Sequence, residues 1–145
     1  MTILDTDKQI AQLDIKKEIQ IAASPDIVWK TIMAGVGPLA SLNLQIEQWP
    51  GGRWFRDLGN NAGHFWGHVQ VIKPPKLLEI TGPMMMSYAV ASFIQYRLTE
   101  KDGGTLLGFT HQAVGLITTE HREGVNKGWQ LTMEAIRDAA QKSAR

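Results

Sequence analysis

Apolar and polar residues alternate at a period of two over most of the chain between Asp14 and Ala113, and a period near four replaces it after Thr118. Ile15, Lys17, Ile19 and Ile21 share one face of a first strand, with Lys16, Glu18 and Gln20 on the other. Residues 1 to 13 alternate poorly and read as a loose lead-in with room for one helical turn. Ser24-Pro25-Asp26 carries the chemistry of a helix start: a hydroxyl to cap, a proline at the first helical position, and an acid against the dipole. Ile27, Val28, Ile32 and Met33 give that short helix an apolar side, and Gly35, Gly37 and Pro38 end it. A second short helix is expected over Leu39 to Leu42.

Strands and turns then follow one another. Leu44 to Trp49 alternates, Pro50-Gly51-Gly52 turns it into Arg53 to Leu58, and Gly59-Asn60-Asn61 turns again into a strand over His64 to Ile72. Lys73-Pro74-Pro75-Lys76 makes a rigid corner before Leu77 to Thr81. Tyr88 to Thr99 and Thr105 to Ala113 flank Lys101-Asp102-Gly103-Gly104, whose Asp-Gly pair signals a tight hairpin. Strands joined by such short turns are antiparallel. From about Thr118 to Lys142 the spacing predicts one long helix. Val125, Trp129, Thr132 or Met133, Ile136 and Ala140 lie along its apolar stripe, and Glu123–Lys127 and Asp138–Lys142 stand at i,i+4. Such a helix spans roughly 35 Å, enough to cross a sheet. Strand, short helices, antiparallel strands and a long helix make an α+β plan.

Composition narrows the function classes. At 145 residues with 43% apolar and 20% charged residues, the chain has the makings of one globular core. The net charge of +1 is carried by scattered Lys and Arg, so a nucleic-acid partner is not expected. There are no cysteines, which excludes disulfides, thiolate nucleophiles and sulfur-ligated zinc. The first residues lack the basic start and apolar run of a secretory signal, and no stretch approaches the ~20 apolar residues of a membrane span. A cytoplasmic location is expected.

Ser24-Pro25-Asp26-Ile27-Val28-Trp29, Gly51-Gly52-Arg53-Trp54, Gly67-His68-Val69 leading to Pro74-Pro75, Gly103-Gly104-Thr105 running to Thr110-His111, and Gly128-Trp129 occur in that order. On these segments the chain resembles the SRPBCC or START-like superfamily over about residues 14 to 142. Within it the chain is similar to the branch named after the heat-shock protein 90 ATPase activator homologues. The resemblance implies a helix-grip fold in one domain. A curved antiparallel sheet of about six or seven strands would wrap a long C-terminal helix, with two short helices after the first strand and an apolar cavity between sheet and long helix. Members of the superfamily include lipid carriers, hormone and flavonoid binders and aromatic polyketide cyclases, so the fold sets only a prior on activity. Co-chaperone members join this domain to a further N-terminal domain, for which the lead-in is expected to leave no room.

The candidate chemistry is sparse. Of the four histidines, His64 and His68 share a strand face but stand ~13 Å apart, too far for one metal. His121 is expected near the start of the long helix, in solvent. His111 continues the Thr105, Leu107, Phe109 face toward the cavity and reads as a cavity-mouth histidine bonded to backbone or water. Glu47, Asp57, Glu79 and Glu120 show no paired-carboxylate spacing and read as solvated charges. If Trp54 points inward, Arg56 does too and favours an anionic group on the ligand; if Phe55 is the inward residue, Arg56 is exposed. Arg97 alternates against Tyr96 and Leu98 and should face water. Neither a metal nor a cofactor is called for, and the glycine pairs lie in hairpins rather than phosphate loops.

Five tryptophans and the run Met84-Met85-Met86 are the most informative features. Most should be core, but aromatic rings and adaptable methionines also suit a small-molecule cavity. The expected lining is Trp54, Arg56, Trp66, Leu78, Ile80, Met84, Phe93 or Ile94, Tyr96, Phe109, His111, Trp129 and Met133. The phase of the His64–Ile72 strand is open, because Phe65, Val69 and Val71 also make an inner face. The leading expectation is a binding protein for an apolar, lipid-like or aromatic small molecule, more a binder than an enzyme. A co-chaperone-like interaction module is the second reading. A polyketide cyclase or dehydratase, with His111 and Tyr96 moving protons, is the third. A homodimer or protein partner is left open.

Overall fold

The computed structural model describes residues 9–84 and 86–145. The order is β1 (Ala11–Ile21), α1 (Pro25–Ala34), a 3-10 helix (Gly37–Leu42), β2 (Leu44–Ile46), β3 (Arg53–Gly59), β4 (Ala62–Lys73), β5 (Leu77–Gly82), β6 (Val90–Lys101), β7 (Gly104–Gly115) and α2 (Thr119–Ser143). Seven strands form one antiparallel sheet in the order β1-β7-β6-β5-β4-β3-β2. First and second strands therefore occupy opposite edges, and α1 with the 3-10 helix carries the chain across from one to the other. With the long α2, this is the α+β helix-grip arrangement.

Local chemistry accounts for most boundaries. Ser24 Oγ accepts from the Ile27 amide and Pro25 opens α1, while Gly35 closes it at φ 74°. Thr118 Oγ1 caps α2 through the His121 amide. Asn60-Asn61 and Asp102-Gly103 all have positive φ, the two-residue turns that match the twist of the flanking strands.

Several boundaries depart from the pattern. Most of the lead-in, residues 1–8, lies outside the described residues, as does Met85, and β1 starts at Ala11 rather than Asp14. The strand expected to reach Trp49 stops at Ile46. There the Glu47 amide still donates to the Arg53 carbonyl at 2.9 Å and the Glu47 carboxylate takes the Arg53 amide and guanidinium at 2.8–2.9 Å, so backbone and side chain close the loop together. Those bonds hold the Glu47 carboxyl down to about 2. Trp49 sits in this loop 56% exposed, and Tyr88 lies ahead of β6 rather than in it. In α2, Asp138 pairs with the adjacent Arg137 instead of Lys142.

Strand β4 follows each of its two readings only in part. Trp66 is an extra residue between the pairs Phe55–Phe65 and Trp54–Gly67, and Gln70 is extra between Val69–Ile80 and Val71–Glu79. Each bulge shifts the phase, so Trp66 and Val69 are both buried while Phe65 is exposed. The β5 end closes tightly here: a Cβ on Gly82 would stand 2.4 Å from Gly67 Cα and 2.5 Å from the Trp66 carbonyl oxygen.

Core side chains occupy the concave face. Ile21, Val28, Leu107 and Ala140 are fully buried, and Thr105 Oγ1 donates to the Ala23 carbonyl to tie β7 to the β1–α1 corner. Trp129, Met133, Ile136 and Ala140 turn the buried stripe of α2 toward the sheet, with Thr132 buried beside them. Gly124 and Gly128 interrupt the same helix. A Cβ on either would meet nothing within 4 Å, although glycine in a helix interior costs about 1 kcal/mol relative to alanine. Among the described residues no helix is long and apolar enough to cross a membrane.

The Gly82 contact makes a direct prediction. Gly82→Ala should lower stability by roughly 1–3 kcal/mol, the usual cost of overpacking, read as a shift of the chemical-denaturation midpoint. An unchanged midpoint would show that β4 and β5 can separate at the bulge.

Candidate functional site

The concave face is covered in two pieces. α2 lies over one part, and α1 with the 3-10 helix lies over the part near β2. Beneath the second cover is a pocket of about 140 Å³. Inward positions of β3, β5 and β6 make its floor: Trp54, Leu78, Ile80 and Tyr96, all buried. Leu44 and Ile46 of β2 form one side, and half-buried Ile32, Met33 and Leu39 form the roof. The pocket is open enough for solvent to reach its rim at Ala40 and Asn43. Tyr96 supplies the polar group of the floor. Its hydroxyl forms no hydrogen bond among the described residues, and burial alone drives its pKa upward.

A second, smaller pocket of about 110 Å³ lies between the 3-10 helix and α2. It is bounded by Pro38 and Leu39 on one side and by Gly124, Val125, Gly128, Trp129 and Thr132 on the other. Leu39 belongs to both pockets.

The residues expected to line a single cavity are thus divided. Trp54, Leu78, Ile80 and Tyr96 come together in the first pocket and Trp129 borders the second. Trp66, Met84, Ile94, Phe109, His111 and Met133 are buried in packing and line neither. Phe93, opposite Gln112, is half-buried on the convex face, so Ile94 is the inward member of that pair. Trp54 rather than Phe55 is inward. Arg56 pairs with Leu44 on the same face, but lies farther along β3, half-exposed, in a shallow depression beside the β3–β4 hairpin. Arg53 covers the outward Phe55 ring at 4.5 Å.

The expected space between sheet and α2 is filled because large rings meet there. Trp129 stacks on Phe109 at 4.3 Å between centroids, and Phe109 packs edgewise on Tyr96 at 5.1 Å. Roof residues Ile32, Met33 and Leu39 and side residues Leu44 and Ile46 were missed as lining. Their signal was present in the apolar side of α1 and the alternation of β2, but nothing in one sequence says which strands α1 covers.

His111 is bonded to side chains, not to backbone or water. Trp129 Nε1–H donates to His111 Nδ1 at 2.9 Å; indole is a donor only, so the proton of the neutral ring sits on Nε2 and points to Ser92 Oγ at 3.1 Å. Burial, reinforced by nearby His121, lowers the His111 pKa to about 4. His121 is buried rather than solvated, with Nδ1 2.6 Å from the Tyr88 hydroxyl and Nε2 unpartnered among the described residues. His64 and His68 are exposed, and no cluster of three His, Asp or Glu side chains suited to a metal occurs among the described residues. Glu79 accepts from Gln95 at 2.6 Å on the convex face.

Residues 22–141 match the family model described as Activator of Hsp90 ATPase homolog 1-like protein, and the chain belongs to that family. No curated protein matches the sequence. Among solved structures, a protein of unassigned function from Rhizobium leguminosarum is similar over 92% of this chain and 97% of its own, at 16% identity and a TM-score of 0.71. CalU16 from Micromonospora echinospora is similar over 94% of both chains, at 19% identity and a TM-score of 0.61. The di-domain ARO/CYC protein BexL of the BE-7585A biosynthetic pathway is similar over 92% of this chain and 50% of its own, at 16% identity and a TM-score of 0.60. At these identities the likeness is one of fold.

The buried imidazole gives the protein a pH signature. An unfolded histidine titrates near 6.5, whereas His111 titrates near 4 in the fold. Between those values the unfolded chain binds the extra proton, so this contribution to stability is complete above about 6.5 and is lost as pH falls through 4. The thermal midpoint should therefore fall between pH 6.5 and 4, and His111→Gln, which keeps a donor and an acceptor, should flatten that slope. Identical slopes in both proteins would remove His111 as its source.

Proposed function

We propose that this protein binds a small apolar molecule carrying a ring, held in the pocket between α1, the 3-10 helix and the sheet. The observation that supports it is a pocket whose buried floor is Trp54, Leu78 and Ile80, with one unpartnered hydroxyl, that of Tyr96. Small-molecule sites are commonly apolar with few convergent polar groups. By volume alone, about 140 Å³ suits one ring, since a cavity of about 150 Å³ accommodates benzene. The family and its fold agree with a binding role without naming a ligand. The region from about residue 14 to 142 acts in this reading as one domain.

A proton-transfer role for His111 gains no support from this geometry. Both ring nitrogens are engaged and the ring lines neither pocket. Tyr96 is better placed as a recognition group, its phenol kept protonated by burial.

Phenol and benzene provide the test, titrated against isotope-labelled protein with the Leu78, Ile80 and Tyr96 resonances followed by NMR. Both should shift those resonances at millimolar concentration, phenol binding about 3- to 10-fold tighter, as one neutral hydrogen bond allows. Tyr96→Phe should erase that preference while leaving benzene binding intact. Ile32→Trp, a change in the half-exposed roof, should weaken both. If neither compound perturbs the floor, or Ile32→Trp has no effect on shifts that do occur, the pocket is not a binding site.

A further inference from the structure

Resting on that reading, we infer that the ligand site continues past Leu39 into the groove along α2, so that the ligand is a ring with a short apolar tail, its polar end at Tyr96.

Leu39 is the shared wall of the two pockets. It belongs to a 3-10 helix in which no residue is buried and no side chain caps the first turn. Gly35, Gly37 and Asn43, with φ of 74°, 68° and 50°, set this segment off from α1 and β2. Gly37 seats the segment against α2, since a Cβ there would lie 2.8 Å from Ala135 Cβ. The backbone is held at Gly37, and the half-buried Leu39 side chain is what separates the two pockets in this proposal.

The far side of the groove is open for a reason other than close packing. Gly124 and Gly128 stand one turn apart on the α2 face toward Pro38 and Leu39, and a Cβ on either would enter empty space. They permit no close helix–helix approach and satisfy no unusual backbone angle. What they preserve is room beside the buried indole of Trp129. The groove's one hydroxyl, that of Thr132, is already spent on the Gly128 carbonyl at 2.8 Å, so an apolar group suits it. At about 110 Å³ it takes a branched alkyl or similar tail. The directing polar group lies in the other pocket, where the 96%-buried Tyr96 lacks a partner among the described residues.

The experiment compares phenol with 4-isobutylphenol by calorimetric or NMR titration of the full chain. The unmodified protein should bind 4-isobutylphenol at least 10-fold more tightly than phenol, because several further carbons leave water. Gly128→Leu, which fills the groove with a good helix former, should reduce that ratio to about 1 and leave phenol affinity unchanged. Leu39→Ala should preserve or raise the ratio, since it removes the wall. A melting curve for each variant establishes that it is folded, and should Gly128→Leu not fold, Gly124→Leu replaces it with the same expectation. If phenol binds but the ratio survives in the groove-filling variant, the extension is wrong while the single-ring pocket stands. If neither compound binds, both readings fall.

Discussion

The indole of Trp129 is the joint on which the long helix turns. It lies against the Phe109 ring, and its N–H is spent on His111, itself held by Ser92 from the neighbouring strand. A buried donor without a partner costs more than an ordinary bond contributes, so the indole has one satisfactory orientation. That orientation sets the rotation of α2 about its axis. Met133, Ile136 and Ala140 then face the sheet, and Gly124, Val125 and Gly128 face the 3-10 helix.

The placement of empty space follows. Under Trp129 the rings of Phe109 and Tyr96 fill the concave face, and farther along α2 the aliphatic side chains of Met133 and Ile136 are buried in packing. α1 has ten residues, about 15 Å of helix, too short to cover the rest. The chain completes the crossing through the 3-10 helix, and both pockets lie along that segment, meeting at Leu39. The pocket here is a consequence of how a curved sheet is roofed by pieces of unequal length. It explains how His111 can be deeply buried and titrate low without touching a pocket: its partners are the pieces that hold the roof in register.

Element identity was readable because it depends on neighbours in the chain. The cap at Ser24, the Asp102-Gly103 turn and the stripe of α2 each express local chemistry, and each stands where its residues put it. Facing directions were readable only while alternation held. In β4 two inserted residues reset the phase, so Trp66 and Val69 are both buried although strict alternation would turn only one of them inward. β2 ends at Ile46 because the chain turns from Glu47 onward, with the Trp49 and Gly52 amides bonded inside the loop and the Glu47–Arg53 ion pair across its base, contacts that composition does not reveal.

What the sequence by itself determined is the α+β order, the antiparallel connections and the family, all carried by short-range patterns and motif order. The tertiary structure alone decided that Leu78, Ile80, Tyr96 and Trp54 share a pocket, whereas Phe109, His111 and Met133 are sealed in packing. It also brought the α1 roof and β2 to that pocket and set Gly124 and Gly128 beside Leu39. The physical reason is that a pocket is the volume left unfilled when covered surfaces meet. That volume depends on helix rotation and strand bulges acting together over long separations in the chain, and no local period encodes it.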